Sequence, residues 1–107
     1  MIDSVDLDLH NVWDLDMLHK KLKYIFGFPD FYGNNYSALV DCLSSLRYPE
    51  DGMTSIVIDK DCSLDIFVKG LFSSSLEVAQ TLISAVEDVN KRAALNNLPP
   101  SLKIVPI

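Results

Sequence analysis

The sequence contains little cysteine and little histidine, with two residues of each among 107. Cys42 and Cys62 are too few for a disulfide framework, and neither has a cysteine or histidine nearby at the spacing of metal ligands. We therefore expect reduced, mostly buried thiols and neither a metal nor another cofactor. His10 and His19 lie near the amino end without a glycine-framed serine or cysteine to activate, which argues against nucleophilic catalysis. Because His19 lies in a run of lysines, we predict that it is on an exposed helix face.

Positive charge and long apolar runs are also scarce. Nine Lys and Arg stand against fifteen Asp and Glu, which gives a formal net charge of −6 at pH 7. Negative charge opposes binding to nucleic acids and to anionic lipid. The sequence shows no basic start followed by an apolar run, as in a signal peptide, and no stretch as long as a membrane span. We expect a cytoplasmic protein whose partner is cationic or neutral, and neither a nucleic acid nor a membrane.

The length and the composition fit one ordinary domain. A chain of 107 residues, of which 49% are hydrophobic, can bury a core without disulfides or metals. No internal repeat or linker argues for a second unit. We predict a single globular domain over residues 1–107.

Hydrophobic periodicity predicts a strand and two helices in the first half of the chain. Residues 5–9 alternate apolar and polar side chains, the period of a half-buried strand. Apolar residues at spacings of three and four then predict a first helix, which begins at Asp14 or Asp16 and ends at Gly27. The same spacing predicts a second helix over residues 36–46, with Asn34 or Asn35 as its N-cap.

The second half predicts two more strands and a long helix. The β-branched run TSIVID, residues 54–59, is expected to be the central strand, buried on both faces. Residues 63–72 are expected to form a short helix. A capping box at Ser74 starts a long helix that continues to Leu95, and residues 102–107 form a strand that Pro106 confines to a sheet edge or a strand end. Strands that alternate with helices indicate an α/β fold with a parallel sheet packed by helices.

Two acidic residues open an enzymatic alternative. Asp59 and Asp61 follow the expected central strand at its carboxyl end, where α/β sheets usually bind ligands. The pattern faintly resembles the Asp-x-Asp loop of haloacid-dehalogenase-type phosphotransferases, in which Asp59 would attack a phosphoryl group, Asp61 would act as acid and base, and Mg²⁺ would assist. The chain is short for such an enzyme, the strand is not the first, and no glycine follows the second acid. Acids in a solvated turn remain the simpler interpretation.

Recognition features are concentrated in FPDFYGNNYSALVDCL, residues 28–43. Pro29 fixes its own φ, Gly33 permits a tight turn, and an asparagine caps the following helix, so the loop and the helix should form one rigid unit. A rigid segment loses little entropy on binding, and Phe31 with Tyr32 offers aromatic area typical of interface hot spots. Alternatively, both rings close the core over the first helix.

This segment resembles the barstar family of ribonuclease inhibitors and immunity proteins. LHKKLKYIFGFP upstream matches the family pattern in register, and the residues of this segment that fit it without a gap are Pro29, the acid Asp30, the two aromatics, Gly33, Asn35, Ala38, Leu39, Asp41, Cys42 and Leu43. The resemblance covers about half of the chain well. It implies a barstar-like α/β fold, in which a three-stranded parallel sheet is packed by three to four helices. It also implies inhibition of a nuclease by occlusion of its active site.

The resemblance also implies which residues bind the partner. Asp41 is the acid that would pair with cationic catalytic groups of a toxin, and Phe31 occupies the position of a family tyrosine that contacts the enzyme. The toxin-binding residues that the resemblance implies are Phe31, Tyr32, Gly33, Asn35, Tyr36, Ser37, Val40, Asp41 and Ser44, with secondary contacts at Ser84, Glu87 and Asp88. The chain departs from the family at Ser37, where a second acid is replaced, and at Val40, where a contact tryptophan is replaced.

The sequence therefore predicts an immunity protein or antitoxin. We expect it to bind a cognate toxin, a ribonuclease, one to one through residues 28–46 and to need no cofactor. Two alternatives stay open at this point: the Mg²⁺-dependent phosphotransferase with Asp59 and Asp61, and a non-inhibitory adaptor that presents an acidic face to a basic partner.

Overall fold

The computed structural model of the chain describes residues 2–107. Strands and helices alternate along much of this range, as in an α/β fold. The elements are β1 (Ser4–Asp8), α1 (Leu15–Phe26), α2 (Tyr36–Leu43), β2 (Leu64–Lys69), α3 (Leu76–Leu95) and β3 (Leu102–Pro106), with short 3-10 turns at Pro49–Asp51 and Leu71–Ser73. No helix within residues 2–107 is long and apolar enough to cross a bilayer.

The three strands found in the described part of the chain form one parallel sheet in the order β1-β2-β3. Val5 on β1 is opposite Ile66 on β2, which is opposite Ile104 on β3. β3 lies at an edge, as Pro106 predicts, because proline cannot donate a ladder hydrogen bond. The predicted fold class, a three-stranded parallel sheet packed by helices, is confirmed.

The predicted position of the central strand is wrong. The central strand is β2, Leu64–Lys69, within the segment for which a helix was predicted. Its buried residues Leu64, Ile66 and Val68 alternate with residues that are more exposed, so the period of two prevails over the helical spacing of a few apolar side chains. The alternation also shows that the central strand is buried on one face, not on both.

The run predicted as the central strand, residues 54–59, is an extended loop that fills the core from the side. Ile56 and Ile58 are buried, with 4% and 3% exposure. The backbone N–H of Ile58 donates to the carbonyl of Leu46 at 3.0 Å, and that of Ser55 donates to the carbonyl of Phe26 at 2.9 Å. The side chains of Ile56 and Ile58 therefore pack in the core, while the N–H groups of Ser55 and Ile58 donate to carbonyls outside the sheet.

The helix starts agree with the sequence to within one residue. The Asp14 side chain accepts the N–H of Met17 at 2.9 Å and caps α1, which ends at Gly27 in the left-handed region with φ 68°. Ser75, one residue after the predicted Ser74, caps α3. The second helix, α2, ends at Leu43 and is shorter than predicted.

The two cysteines differ in burial, so the prediction of mostly buried thiols holds for one of them. Cys42 on α2 is buried, and burial raises the pKa of its thiol. Cys62 is exposed, because it follows Asp61 in the surface loop before β2. Both are free thiols.

Candidate functional site

The loop that precedes α2, residues 28–35, is anchored in the core by aromatic rings. We call it the entry loop. Phe28 and Tyr32 are 5% and 7% exposed, and their ring centroids are 4.7 Å apart. Phe28 also stacks on Phe26, the last residue of α1, at 5.8 Å. The backbone N–H of Tyr32 donates to the carbonyl of Pro29 at 2.9 Å, which closes a turn. The entry loop is therefore fixed by packing at both of its aromatic anchors.

A buried hydrogen bond ties the entry loop to α1. The Tyr32 hydroxyl and His19 Nδ1 are 2.6 Å apart, and His19 is 3% exposed. The prediction that His19 is on an exposed face is wrong, because its ring faces the entry loop and not the solvent that its lysine neighbours face. Burial lowers the pKa of His19 and raises that of Tyr32, so both groups are held in their neutral forms.

The two adjacent aromatics point in different directions. While Tyr32 is buried, the neighbouring Phe31 is 77% exposed. The alternative in which both rings close the core therefore applies to Tyr32 alone. Tyr32 holds the loop in place from beneath, and Phe31 exposes its ring to solvent.

Asn35 joins the entry loop to α2. Its side-chain oxygen accepts the N–H of Ala38 at 2.8 Å, and its side-chain amide donates to the carbonyl of Gly33 at 3.3 Å. A β-carbon on residue 33 would lie 2.8 Å from Asn35 Nδ2. A side chain at position 33 would therefore press on the capping amide, and Asn35 itself is hydrogen-bonded both to the entry loop and to α2.

The α2 residues in the predicted site divide between surface and core. Tyr36, Ser37 and Asp41 are exposed, while Val40 is only 4% exposed and packs in the core. Ser44 is half-buried at the end of α2, where its hydroxyl donates to the carbonyl of Val40 at 2.6 Å. Val40 supports this face from below, so the exposed residues form its outer layer.

An ion pair joins this face of α2 to α3. Arg92 Nη1 is 2.9 Å from Asp41 Oδ1 and 3.3 Å from Ser44 Oγ. The two charged side chains remain 51% and 58% exposed. Arg92 was not among the predicted site residues, because 51 residues separate it from Asp41 and no local spacing indicates that the two helices meet there.

A second contact joins the two helices near the start of α2. The Tyr36 hydroxyl donates to the carboxylate of Asp88. Burial, together with this hydrogen bond and charge, raises the pKa of Tyr36 to about 12. Ser84 and Glu87, the other predicted secondary positions, are exposed on α3, and Glu87 pairs with Lys91 at 3.2 Å. The structure thus brings Asp88 against α2, at the border of the predicted surface.

A groove borders the Asp41–Arg92 pair at the carboxyl ends of α2 and α3. It has a volume of about 300 Å³. Arg47 lines the groove but uses its guanidinium inside the protein, where it donates to the Cys62 carbonyl at 2.7 Å, the Pro99 carbonyl at 2.9 Å and Ser101 Oγ at 2.8 Å. Arg47 therefore fastens the loop before β2 to the segment before β3, whereas Arg92 faces solvent.

The acids of the enzymatic alternative do not lie where that alternative needs them. Asp59 and Asp61 are exposed in the loop before β2, at its amino end, because residues 54–59 are not a strand. The prediction that Asp59 and Asp61 lie at the carboxyl end of a buried strand is wrong. Among residues 2–107, no group of three or more acidic, histidine or cysteine side chains is arranged to hold a metal ion.

Comparison with known proteins gives one match that spans nearly the whole chain. The sequence pattern of the family described as Barstar (barnase inhibitor) matches residues 2–104. None of the curated proteins compared with the chain matches it. The family match extends well beyond the half of the chain that shows the resemblance most clearly, and it includes α3 and the start of β3.

Proposed function

The chain belongs to the barstar family, a family of ribonuclease inhibitors, and from this premise we propose that it is an immunity protein that binds a cognate ribonuclease toxin and occludes its active site. The proposal rests on two exposed side chains, Phe31 and Asp41. They lie on a loop and a helix that are fixed by packing against the core. The complex is one to one, forms in the cytoplasm, and needs no catalytic group of the inhibitor.

Rigidity favours binding by this surface. The Tyr32–His19 bond, the stacked phenylalanines and the Asn35 cap already fix the entry loop in the free protein. Little conformational entropy is then lost when a partner binds. The Phe31 ring, at 77% exposure, has most of its area available for burial, and buried aromatic rings are frequent interface hot spots.

Charge supplies the second part of the proposed contact. A ribonuclease active site holds cationic groups that bind the RNA phosphate, and a carboxylate can take the place of that phosphate. Asp41 projects from the middle of the exposed α2 face, so its carboxylate can accept charge-assisted hydrogen bonds from those groups. Arg, Lys or protonated His would each serve as the donor.

The target that we propose differs from barnase in its contact surface. Ser37 contributes no charge where the family has a second acid, and Val40 is buried where the family has a contact tryptophan. A partner must therefore gain its binding energy from Phe31, Asp41 and the border near Asp88. These differences support a toxin specific to this chain.

The test is whether the chain binds the product of the gene beside its own and inhibits RNA cleavage by that product. That protein is co-expressed, the complex is purified, and RNA cleavage is measured with increasing amounts of the inhibitor. Phe31→Ala should weaken inhibition at least about fivefold, while Phe72→Ala, which removes an even more exposed ring (88%) elsewhere, should not. Binding without any loss of RNA cleavage would instead identify the chain as an adaptor. Equal effects of the two variants would place the inhibitory surface elsewhere.

A further inference from the structure

Asp41, the predicted anionic contact, is already paired with Arg92 of the same protein. Arg92 Nη1 approaches Asp41 Oδ1 at 2.9 Å and Ser44 Oγ at 3.3 Å, and this places a guanidinium over the carboxylate that a partner would use. The contact is made by one nitrogen to one oxygen, so it is not the two-pronged arrangement in which arginine binds carboxylate most tightly. Arg92 is therefore paired with Asp41 but does not hold it strongly.

The charges around this pair nearly cancel. Asp41, Glu87 and Asp88 contribute three negative charges, while Lys91 and Arg92 contribute two positive ones. A surface that served only to attract a cationic partner would gain from the loss of Arg92. Its presence beside Asp41 lowers that attraction, so a partner that uses Asp41 must first displace Arg92.

We propose that Arg92 is a residue of the interaction surface that acts as a tethered competitor for Asp41 and so sets the affinity of this face for cationic partners. The inference rests on the proposed function of this face as an anionic contact. A partner's cation must take the place of Arg92, which is held close to Asp41 at the effective concentration of a side chain on the same protein. A single flexible cation on a partner gains little free energy when it replaces Arg92. A pre-organised cationic cluster, which offers several hydrogen bonds at once, displaces Arg92 readily because an exposed ion pair is weak.

Lys91 provides a matched control. It is the neighbouring residue on α3 and carries the same charge, but it pairs with Glu87 at 3.2 Å and not with Asp41. Arg92→Ala and Lys91→Ala therefore change the net charge equally, and only the first uncovers Asp41. Both side chains are more than half exposed, so both variants should fold, which denaturant unfolding checks.

The experiment uses a hexa-arginine peptide as a cationic probe and follows the NMR signal of the Asp41 carboxyl carbon during titration. Arg92→Ala should lower the peptide concentration needed for half of the shift by about two- to fivefold, as for loss of a surface ion pair. Lys91→Ala should change it by less than about 1.5-fold. In an Asp41→Asn background, binding followed by the backbone amides of α2 should respond to Arg92→Ala no more than to Lys91→Ala. Equal effects of the two alanine variants in the presence of Asp41, or a larger Arg92 effect that persists without the Asp41 charge, would overturn the proposal.

The same variants with the toxin separate this inference from the proposed function. If the toxin binds by Asp41, Arg92→Ala should tighten the complex by a similar factor. If toxin binding ignores Asp41→Asn, the inhibitory surface lies elsewhere and the proposed contact fails. The peptide titration still decides in that case whether Arg92 competes for Asp41.

Discussion

The Tyr32 hydroxyl and His19 Nδ1 lie 2.6 Å apart in the protein interior and link the entry loop to α1. The sequence separation of 13 residues places this bond outside any local motif. This hydrogen bond lies beside the aromatic rings that anchor the loop, and both of its partners are buried. The exposed surface of the entry loop, Phe31 above all, is therefore supported by a histidine whose pKa is lowered by burial.

The first prediction is that stability falls as the pH drops below His19's ordinary pKa of 6.5. Burial lowers the pKa of this residue in the folded state, so between the folded pKa and 6.5 the unfolded chain binds more protons. The free energy of unfolding then rises with pH and reaches its full value above 6.5. Denaturant unfolding between pH 5 and 8 measures this slope.

Two glutamine variants identify the histidine responsible. His19→Gln should flatten the slope over this range, whereas His10→Gln should leave the fall in stability in place, because His10 is exposed beside Asp8. An unchanged slope in the His19 variant would show that protonation of this ring does not limit stability.

The second prediction concerns the loop that takes the place of the expected central strand. Ile56 is 4% exposed in the core, so Ile56→Ala should lower the free energy of unfolding by about 2–5 kcal/mol, although the residue belongs to no strand. Val57→Ala is the control, because Val57 is only half-buried and should cost clearly less. Urea unfolding measures both variants, and a cost of only a few tenths for Ile56 would contradict its place in the core.

The third prediction concerns the rate of association with the toxin. Charge steering by an acidic protein of net charge −6 should make the association rate fall as salt rises from low to physiological strength. Stopped-flow measurement at several salt concentrations tests this. Arg92→Ala should make the dependence steeper because it removes a positive charge from the contact surface. A flat response would remove steering from the mechanism.

The sequence predicted the local structure well where one periodicity dominates. The Asp14 and Asn35 caps, the Gly27 stop and the alternation in β1 are each set by residues close in the chain. The central strand was misplaced because two apolar runs compete for it. The choice between them depends on which run pairs with β1 and β3, and that pairing is a long-range property.

The candidate site could likewise be predicted only in part from the sequence. The exposure of Phe31 and Asp41 agrees with their place in the family pattern, which carries information about the folded surface. Arg92 was missed because its relation to Asp41 exists only after α2 and α3 pack together. His19 was misjudged because its neighbours in the chain are solvated, while its own ring faces the entry loop.

The last prediction is that Asp41 is the polar residue on which toxin binding depends most. Asp41→Ala would leave the toxin's cationic groups desolvated and unpaired in the complex, which typically costs about 2–5 kcal/mol and raises the dissociation rate. It would also leave the positive charge of Arg92 facing those groups. Folding should change by about 1 kcal/mol at most, because the lost ion pair is exposed.

Three further variants separate these contributions. Ser37→Ala removes an exposed uncharged side chain from the same helix and should bind almost as the wild type does, while Phe31→Ala should cost about 1–3 kcal/mol through lost buried area. Asp41→Ala combined with Arg92→Ala should recover part of the lost affinity, because the repulsion from Arg92 is then absent. Titration calorimetry gives the affinities and denaturant unfolding gives the stabilities. If Asp41→Ala binds like the wild type while substitution of Glu87 abolishes binding, the contact lies on α3 and not on α2.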